Sequence, residues 1–258
     1  MKHAAEKPRS PRPRRQWIWM VAFAAAAVLF GAVLLLPRKQ PTQPPTETAG
    51  DYRPPRTMLL FVHDGGGKLT AAVVLRIDGG VTVTGYPKQT EIVYDTALRP
   101  LSACYEREGA DASHYMTDIL GGSCDAVLRL SVESIASLAD RLGNGVVLDD
   151  ELVTGYRMLE LLRDEGETIT SQAQVTARCV AAMIDRYLTP KQNMEGAFHL
   201  LSALCDDRVI AAQFLSVKDE LLSLAKANDG RLCTVVTPSG EVVGVGEERR
   251  FVPQNGVG

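Results

Sequence analysis

The sequence lacks the short motifs that identify the common enzyme classes. The G-x-S-x-G pattern of acyl-transfer enzymes is absent. Residues 65–68, GGGK, lack the G-x-x-x-x-G-K-[ST] spacing of a phosphate-binding loop. Metal-ligand spacings such as H-E-x-x-H are also missing. Two of the four histidines, His63 at the end of a predicted strand and His199 in a predicted helical stretch, are therefore interpreted as packed or surface residues.

The cysteines do not form a recognisable metal-binding or redox motif. The five cysteines, at positions 104, 124, 179, 205 and 233, are an odd number at irregular spacing, and no C-x-x-C occurs. This pattern predicts neither a zinc site nor a redox pair. Most of them lie in apolar runs, where a cysteine is usually a small core residue. If the domain is exported, the formation of one or two disulfides remains possible.

Positive charge is scarce in most of the chain. From Thr57 onward there are 18 Lys and Arg residues against 28 Asp and Glu residues, a net charge of −10. The net charge of −3 for the whole chain hides this difference. Since nucleic-acid binding requires clustered positive charge, a nucleic-acid partner is excluded.

One long apolar run stands out from the rest. Trp17 to Leu36 is twenty residues without a charge, and a helix of that length rises about 30 Å, the thickness of a bilayer core. Residues 1–16 carry six basic residues and one acid, Glu6, so this tail is predicted to be cytoplasmic and the C-terminal domain extracellular. The run ends in LLLPRKQ without a small-residue cleavage site. A single-pass membrane anchor is therefore preferred to a cleaved signal peptide, and Arg14-Arg15 is interpreted as part of the basic tail rather than a twin-arginine signal.

The remainder divides into a tether and one domain. Residues 37–56 contain six prolines and few apolar residues, a composition typical of an extended linker. Residues 57–258 are long enough for a single buried core. The domain opens with three predicted strands, Met58–His63, Ala71–Ile77 and Val81–Val83. The last two flank Asp78-Gly79-Gly80, which predicts a hairpin.

Helical periodicity appears further along the domain. Residues 126–130 and 145–148 read as strands around a helix capped by Ser131, which together predict a βαβ unit. A second hairpin is predicted around Pro238-Ser239-Gly240, between strands at 232–237 and 241–245. Asp149-Asp150-Glu151 is interpreted as a solvated turn ahead of a helix rather than a Mg²⁺ site. Further helices are predicted over 154–163, 171–188 and 207–226. The expected fold is α/β with a mixed central sheet.

The order of these segments resembles the LytR–CpsA–Psr family. The resemblance runs from about Met58 to Pro253 and is carried by seven segments. They are MLLFVHD (58–64), TAAVVLRID (70–78), GYPKQTEI (85–92), LSACY (101–105), SVESIASLADRLGNGVVLD (131–149), GYRMLELLR (155–163) and TPSGEVVGVGEERRFVP (237–253). It implies a three-layer fold with helices on both faces of the sheet. It also implies a membrane-anchored extracellular transferase that moves glycopolymer from a polyprenyl-pyrophosphate carrier to peptidoglycan or another wall acceptor, with Mg²⁺.

The departures from the family pattern fall on its charged positions. Thr70 stands where the family has an Asp that helps to hold Mg²⁺, and Lys88-Gln89 replaces an Arg-Asp pair. Lysine offers a phosphate only a point charge, and glutamine cannot replace a carboxylate. No arginine pair of residues 167–179 aligns with the family's R-x-x-R-Q-Q run. We therefore expect weak or no transferase activity.

What remains of the implied site is a small cationic set. The resemblance implies phosphate binding by Lys68, Lys88, Arg99 and Arg163, with Asp64 as a metal ligand and Mg²⁺ held weakly. The expected partners are the membrane, through Trp17–Leu36, and a polyprenyl-linked glycopolymer or other wall polymer. Three functions stay open: a glycopolymer-binding protein of envelope assembly, an active but divergent phosphotransferase, and an unrelated membrane-tethered interaction domain.

Overall fold

A computed structural model describes residues 56–141, 145–187, 219–227 and 232–254. The predicted tail and membrane anchor, the tether up to residue 55, His199, Cys205 and most of the predicted helix 207–226 lie outside these residues. Arg56, assigned to the tether from sequence, is the first residue of a strand. None of the helices in the described ranges has the length and apolar character needed to cross a membrane.

Eleven strands occur in the described ranges, and five of them form a central mixed sheet in the order β6-β1-β2-β3-β9. β1 is parallel to β6 and β3 is parallel to β9, whereas β1–β2 and β2–β3 are antiparallel. The strands are β1 Arg56–His63, β2 Leu69–Ile77, β3 Val81–Pro87, β4 Glu91–Tyr94, β5 Ala97–Pro100, β6 Ala126–Ser131, β7 Val146–Leu148, β8 Glu151–Val153, β9 Cys233–Val236, β10 Gly240–Val243 and β11 Arg250–Pro253. The predicted mixed sheet is confirmed.

Helices cover both faces of this sheet. They are α1 Leu101–Glu108, α2 Thr117–Leu120, α3 Val132–Arg141, α4 Gly155–Arg163 and α5 Ser171–Tyr187, and residues 219–227 are also helical. Short 3₁₀ helices occupy Gly109–Met116 and Gly246–Glu248. Ser131 caps α3 as predicted, because its Oγ accepts a hydrogen bond from the Ser134 amide at 3.0 Å.

The core lies in two layers because β1 is apolar at every position from Met58 to Val62. Met58, Leu60 and Val62 pack with α3, α4, α5 and residues 219–227. Leu59 and Phe61 point to the opposite face, where they pack with α1, α2 and the 3₁₀ helix Gly109–Met116. A strand buried on both faces reads as a continuous apolar run, which is what the sequence shows. The three-layer arrangement follows directly.

The predicted βαβ unit is wrong in its second strand. β6 and α3 form as expected, but β7 does not join the central sheet and instead pairs with β8 in a separate hairpin. Asp149 and Asp150 form its two-residue turn, both with positive φ, 51° and 66°. Aspartate is among the residues that tolerate this conformation in tight hairpin turns. The acidic run therefore turns a hairpin, and its third member, Glu151, begins β8.

The hairpin predicted around Pro238-Ser239-Gly240 is also wrong. β9 pairs in parallel with β3 at the edge of the central sheet, whereas β10 pairs with β11. The strand propensities on both sides of the Pro-Ser-Gly segment are correct, but the two strands do not pair with each other. The segment 237–253 does contain a hairpin, formed by β10 and β11.

The β4–β5 turn gives a prediction about stability. Thr96 has φ 64° in this turn, a conformation that is unfavourable for a β-branched residue. We expect Thr96→Gly to raise the free energy of unfolding by about 0.5–1 kcal/mol, measured by urea denaturation. Thr96→Ala is the control, since it removes the hydroxyl and the methyl group but keeps the Cβ, which makes a positive φ unfavourable. An equal gain for both variants would contradict the explanation.

Candidate functional site

A cleft of about 590 Å³ opens where several strands of the central sheet end. The carboxyl ends of β1, β3 and β6 lie side by side there, because these three strands run in the same direction. The start of β2, the N-terminus of α3 and the C-terminus of α4 complete the walls. Apolar side chains from Leu69, Val132 and Leu162 line part of it, beside Thr70 and Gln172. Gln172 is held there by a hydrogen bond from its Nε2 to the Leu162 carbonyl, 3.1 Å long.

The loop after β1 is organised by Asp64. Its Oδ1 accepts hydrogen bonds from the backbone amides of Gly66 and Lys68, at 2.9 and 2.8 Å. Gly67 has φ 81°, a conformation that glycine adopts readily. Asp64 thus holds the loop that carries Lys68 into the cleft wall. Lys68 is exposed and has no ion-pair partner among the described residues.

Lys88 is presented by a rigid turn. The Thr90 amide donates to the Pro87 carbonyl at 2.9 Å, which closes a four-residue turn with Lys88 in its second position. Thr90 is completely buried, and its hydroxyl also donates to the Pro87 carbonyl. The first amides of α1 fix the other side, since Ser102 N donates to the Lys88 carbonyl. The Lys88 ammonium group lies 2.6 Å from Oε1 of Glu165, on the loop after α4.

Arg163 reaches the same cleft from the last turn of α4. Its Nη2 lies 2.7 Å from Oε1 of Glu133, in the first turn of α3. Burial raises the pKa of Glu133, but hydrogen bonds from Arg163 and from the Glu133 backbone outweigh it, so the net pKa is below the ordinary value. The stability that this carboxylate contributes is therefore present at neutral pH, and it is lost as the pH falls through the lowered pKa.

Four of the five predicted site residues line this one cleft: Asp64, Lys68, Lys88 and Arg163. Arg99 does not, because it lies exposed on β5 in the separate β4–β5 hairpin. Sequence reasoning missed Glu133 and Glu165, which bring the charge of the cleft wall to three cations against three acids. An acid in the first turn of a helix is too common to identify Glu133 in advance.

Three buried thiols among the described residues are poor nucleophiles. Burial raises the pKa of Cys104 and of Cys179 to about 11, and burial together with Asp185 raises the pKa of Cys233 further. Because the thiolate is the reactive form, these groups stay unreactive near neutral pH. No disulfide joins the four described cysteines.

Metal ligands are sparse among the described residues, where no group of three or more His, Cys, Asp or Glu side chains could hold an ion. Each acid of the cleft has one oxygen engaged: Asp64 with two amides, Glu133 with Arg163 and Glu165 with Lys88. The second oxygen of Glu133, Oε2, is buried without a hydrogen-bond partner among the described residues. Thr70 adds a neutral hydroxyl and is nearly buried. This donor set does not fit a firmly held Mg²⁺, which favours carboxylates together with waters or phosphates.

The fold of this chain is similar to that of solved LytR–CpsA–Psr proteins. TagV from B. subtilis has 14% sequence identity and a TM-score of 0.62, covering 78% of this chain and 91% of that chain. TagT from B. subtilis has 11% identity and a TM-score of 0.58, covering 83% and 89%. TagT bound to LI-WTA has 10% identity and a TM-score of 0.60, covering 78% and 85%.

The likeness lies in the fold and hardly in the sequence. No family model matches the sequence, and no curated protein matches it. Identities of 10–14% over most of both chains show a shared architecture. A shared architecture does not define the function, which depends on the residues of the cleft.

Proposed function

We propose that this protein is a divergent LytR–CpsA–Psr-like protein of cell-envelope assembly. It binds a polyprenyl-(pyro)phosphate-linked glycopolymer through the cleft, with weak or no catalysis. The observation that carries the proposal is the convergence of Lys68, Lys88 and Arg163 on one cleft, from three separate elements of the fold. Cations placed in this way match the concentrated negative charge of a pyrophosphate.

The fold supports a glycopolymer as the ligand. TagT, which shares it, has been solved bound to LI-WTA and to LIIa-WTA. The anchor proposed at Trp17–Leu36 would leave the N-terminus in the cytoplasm and the domain outside the cell. A lipid carrier in the same membrane would then bring its phosphate groups to the domain.

The proposal of weak or no catalysis rests on what the cleft provides. A phosphotransferase must stabilise charge that develops on phosphate oxygens, usually with metal ions and several arginines. In this cleft Thr70 lies where the resemblance implies an aspartate, and each lining carboxylate already has a partner. Any Mg²⁺ would be held weakly, with phosphate oxygens of the ligand supplying much of its coordination.

An active, divergent phosphotransferase is the second candidate. It is favoured by the location of Lys88 and Arg163, which line the same cleft and could clamp two phosphates of a donor. The two candidates share the ligand and differ in whether the phosphate bond is broken.

The test is a paired measurement on the purified full chain in detergent micelles. We expect a polyprenyl-diphosphate-linked oligosaccharide to bind, measured by calorimetry, and transfer to a peptidoglycan acceptor with Mg²⁺ to stay near background. Binding with efficient transfer would support the active phosphotransferase. Absence of binding would contradict both candidates and would favour an interaction domain that shares only the fold.

A further inference from the structure

The ion pair between Lys88 and Glu165 joins two walls of the cleft. Lys88 lies on the turn after β3, and Glu165 on the loop after α4, 77 residues further along the chain. The 2.6 Å contact places a carboxylate directly on one of the cations that would bind a phosphate. A ligand phosphate at Lys88 and the Glu165 carboxylate compete for the same ammonium group.

The second ion pair of the cleft, between Arg163 and Glu133, has a less exposed acid than the first. Glu133 belongs to the first turn of α3, and its side chain is 39% exposed. The side chain of Glu165 is 73% exposed and follows the end of α4. The Arg163 guanidinium has five N–H donors on a planar fork, so it can keep Glu133 and still donate to a phosphate. Glu165 is therefore the group that can leave at small cost.

We propose that Glu165 is an internal competing anion that sets the affinity of the cleft. A phosphate displaces the Glu165 carboxylate from Lys88 by exchange of ion-pair partners, while Arg163 stays on Glu133 and binds the ligand through its other donors. This inference rests on the proposed function, since it assumes that the ligand is a phosphate. It assigns Glu165 a role in weakening the binding of phosphates to the cleft.

The size of the effect follows from the exposure of the pair. Exposed ion pairs contribute little, up to about 1 kcal/mol, and a tenfold change in affinity corresponds to about 1.4 kcal/mol. Removing the competitor should therefore tighten phosphate binding by about two- to fivefold. The gain in affinity depends on Lys88, because Glu165 cannot compete with a phosphate once the ammonium group that it pairs with is removed.

The experiment titrates inorganic pyrophosphate into the full chain by calorimetry, for wild type, Glu165→Gln and the control Glu160→Gln. Glu160 pairs with Arg157 at 2.9 Å on α4 and does not line the cleft, so its loss changes net charge by the same amount. We expect the two- to fivefold gain only for Glu165→Gln. In a Lys88→Ala background, Glu165→Gln should gain no more than Glu160→Gln does.

The outcomes separate this inference from the proposed function. If the wild type binds pyrophosphate and Glu165→Gln binds it with the same affinity, the competition is overturned and phosphate binding stands. An equal gain from Glu165→Gln with and without Lys88 would also overturn it, because a general charge effect would then suffice. Absence of pyrophosphate binding in every variant would overturn both.

Discussion

Replacement of Gly85 by alanine is expected to lower the free energy of unfolding by about 3 kcal/mol or more, at the upper end of the range for overpacked sites. Gly85 lies in β3 at the point where α5 packs directly on the sheet. A Cβ built there would lie 2.1 Å from the Ala173 carbonyl oxygen, closer than any real Cβ contact. Because the obstacle is helix backbone, α5 or β3 must move as a unit.

The control is Gly80→Ala, just before β3. A Cβ at Gly80 would meet the Leu232 carbonyl oxygen at 3.5 Å, an ordinary contact. Chemical denaturation of both variants, each compared with wild type, measures the difference. A Gly85→Ala protein as stable as Gly80→Ala would show that α5 does not pack on the sheet in this way.

This close approach also bears on the lipid. At Gly85 the sheet and α5 are in backbone contact, so an apolar chain cannot pass between them at that point. The walls available to a polyprenyl chain near the cleft are the side chains of Leu69, Val132 and Leu162. The charged groups of the cleft, which face the phosphates, therefore supply the main part of the proposed binding.

Arg163→Ala is expected to lower the affinity for the lipid-linked diphosphate by tenfold or more. Hydrogen bonds to charged groups contribute about 1.5–3 kcal/mol each, and Arg163 also neutralises Glu133 at 2.7 Å. Without the guanidinium, Glu133 would repel a phosphate in the same cleft. Calorimetric titration of the polyprenyl-diphosphate-linked oligosaccharide measures the loss.

The matched control is Arg157→Ala on the same helix. Arg157 pairs with Glu160 on the exposed face of α4 and does not line the cleft, so the same charge is lost away from the site. Arg163→Lys should fall between wild type and Arg163→Ala, because it keeps the charge without the planar fork. Equal losses for Arg157→Ala and Arg163→Ala would mean that only overall charge matters.

The sequence predicts the layers of the fold better than the pairing of its strands. The continuous apolar run of β1 is enough to expect a strand buried on both faces, and Ser131 is enough to begin α3. The partner of β9 could not be predicted, because β3 is distant in the sequence and pairing depends on such contacts. β7 pairs with the next strand, β8, which is a local hairpin. The positive φ at Asp149 and Asp150 shows that a hairpin signal was present in the two aspartates.

Site residues could be predicted from the sequence only where they align with positions of the family pattern. Lys88 and Arg163 are 75 positions apart in the sequence, and only their places in the family pattern suggested that they share a cleft. The structure places both in its lining. Glu133 and Glu165 carry no motif, and their role depends on which cations they face. Arg99 is the opposite case: it lies just before a segment of the family pattern, at 101–105, but its side chain does not line the cleft.

The central claim is that the phosphates of the lipid carrier lie in this cleft. The most direct test is photo-crosslinking with a polyprenyl diphosphate that carries a reactive group beside its phosphates, followed by mass spectrometry of the full chain. We expect crosslinks to the loop at 64–68, to Lys88 and to residues 163–165. Crosslinks confined to the opposite face of the sheet, at α2 or the 3₁₀ helix Gly109–Met116, would contradict the central claim.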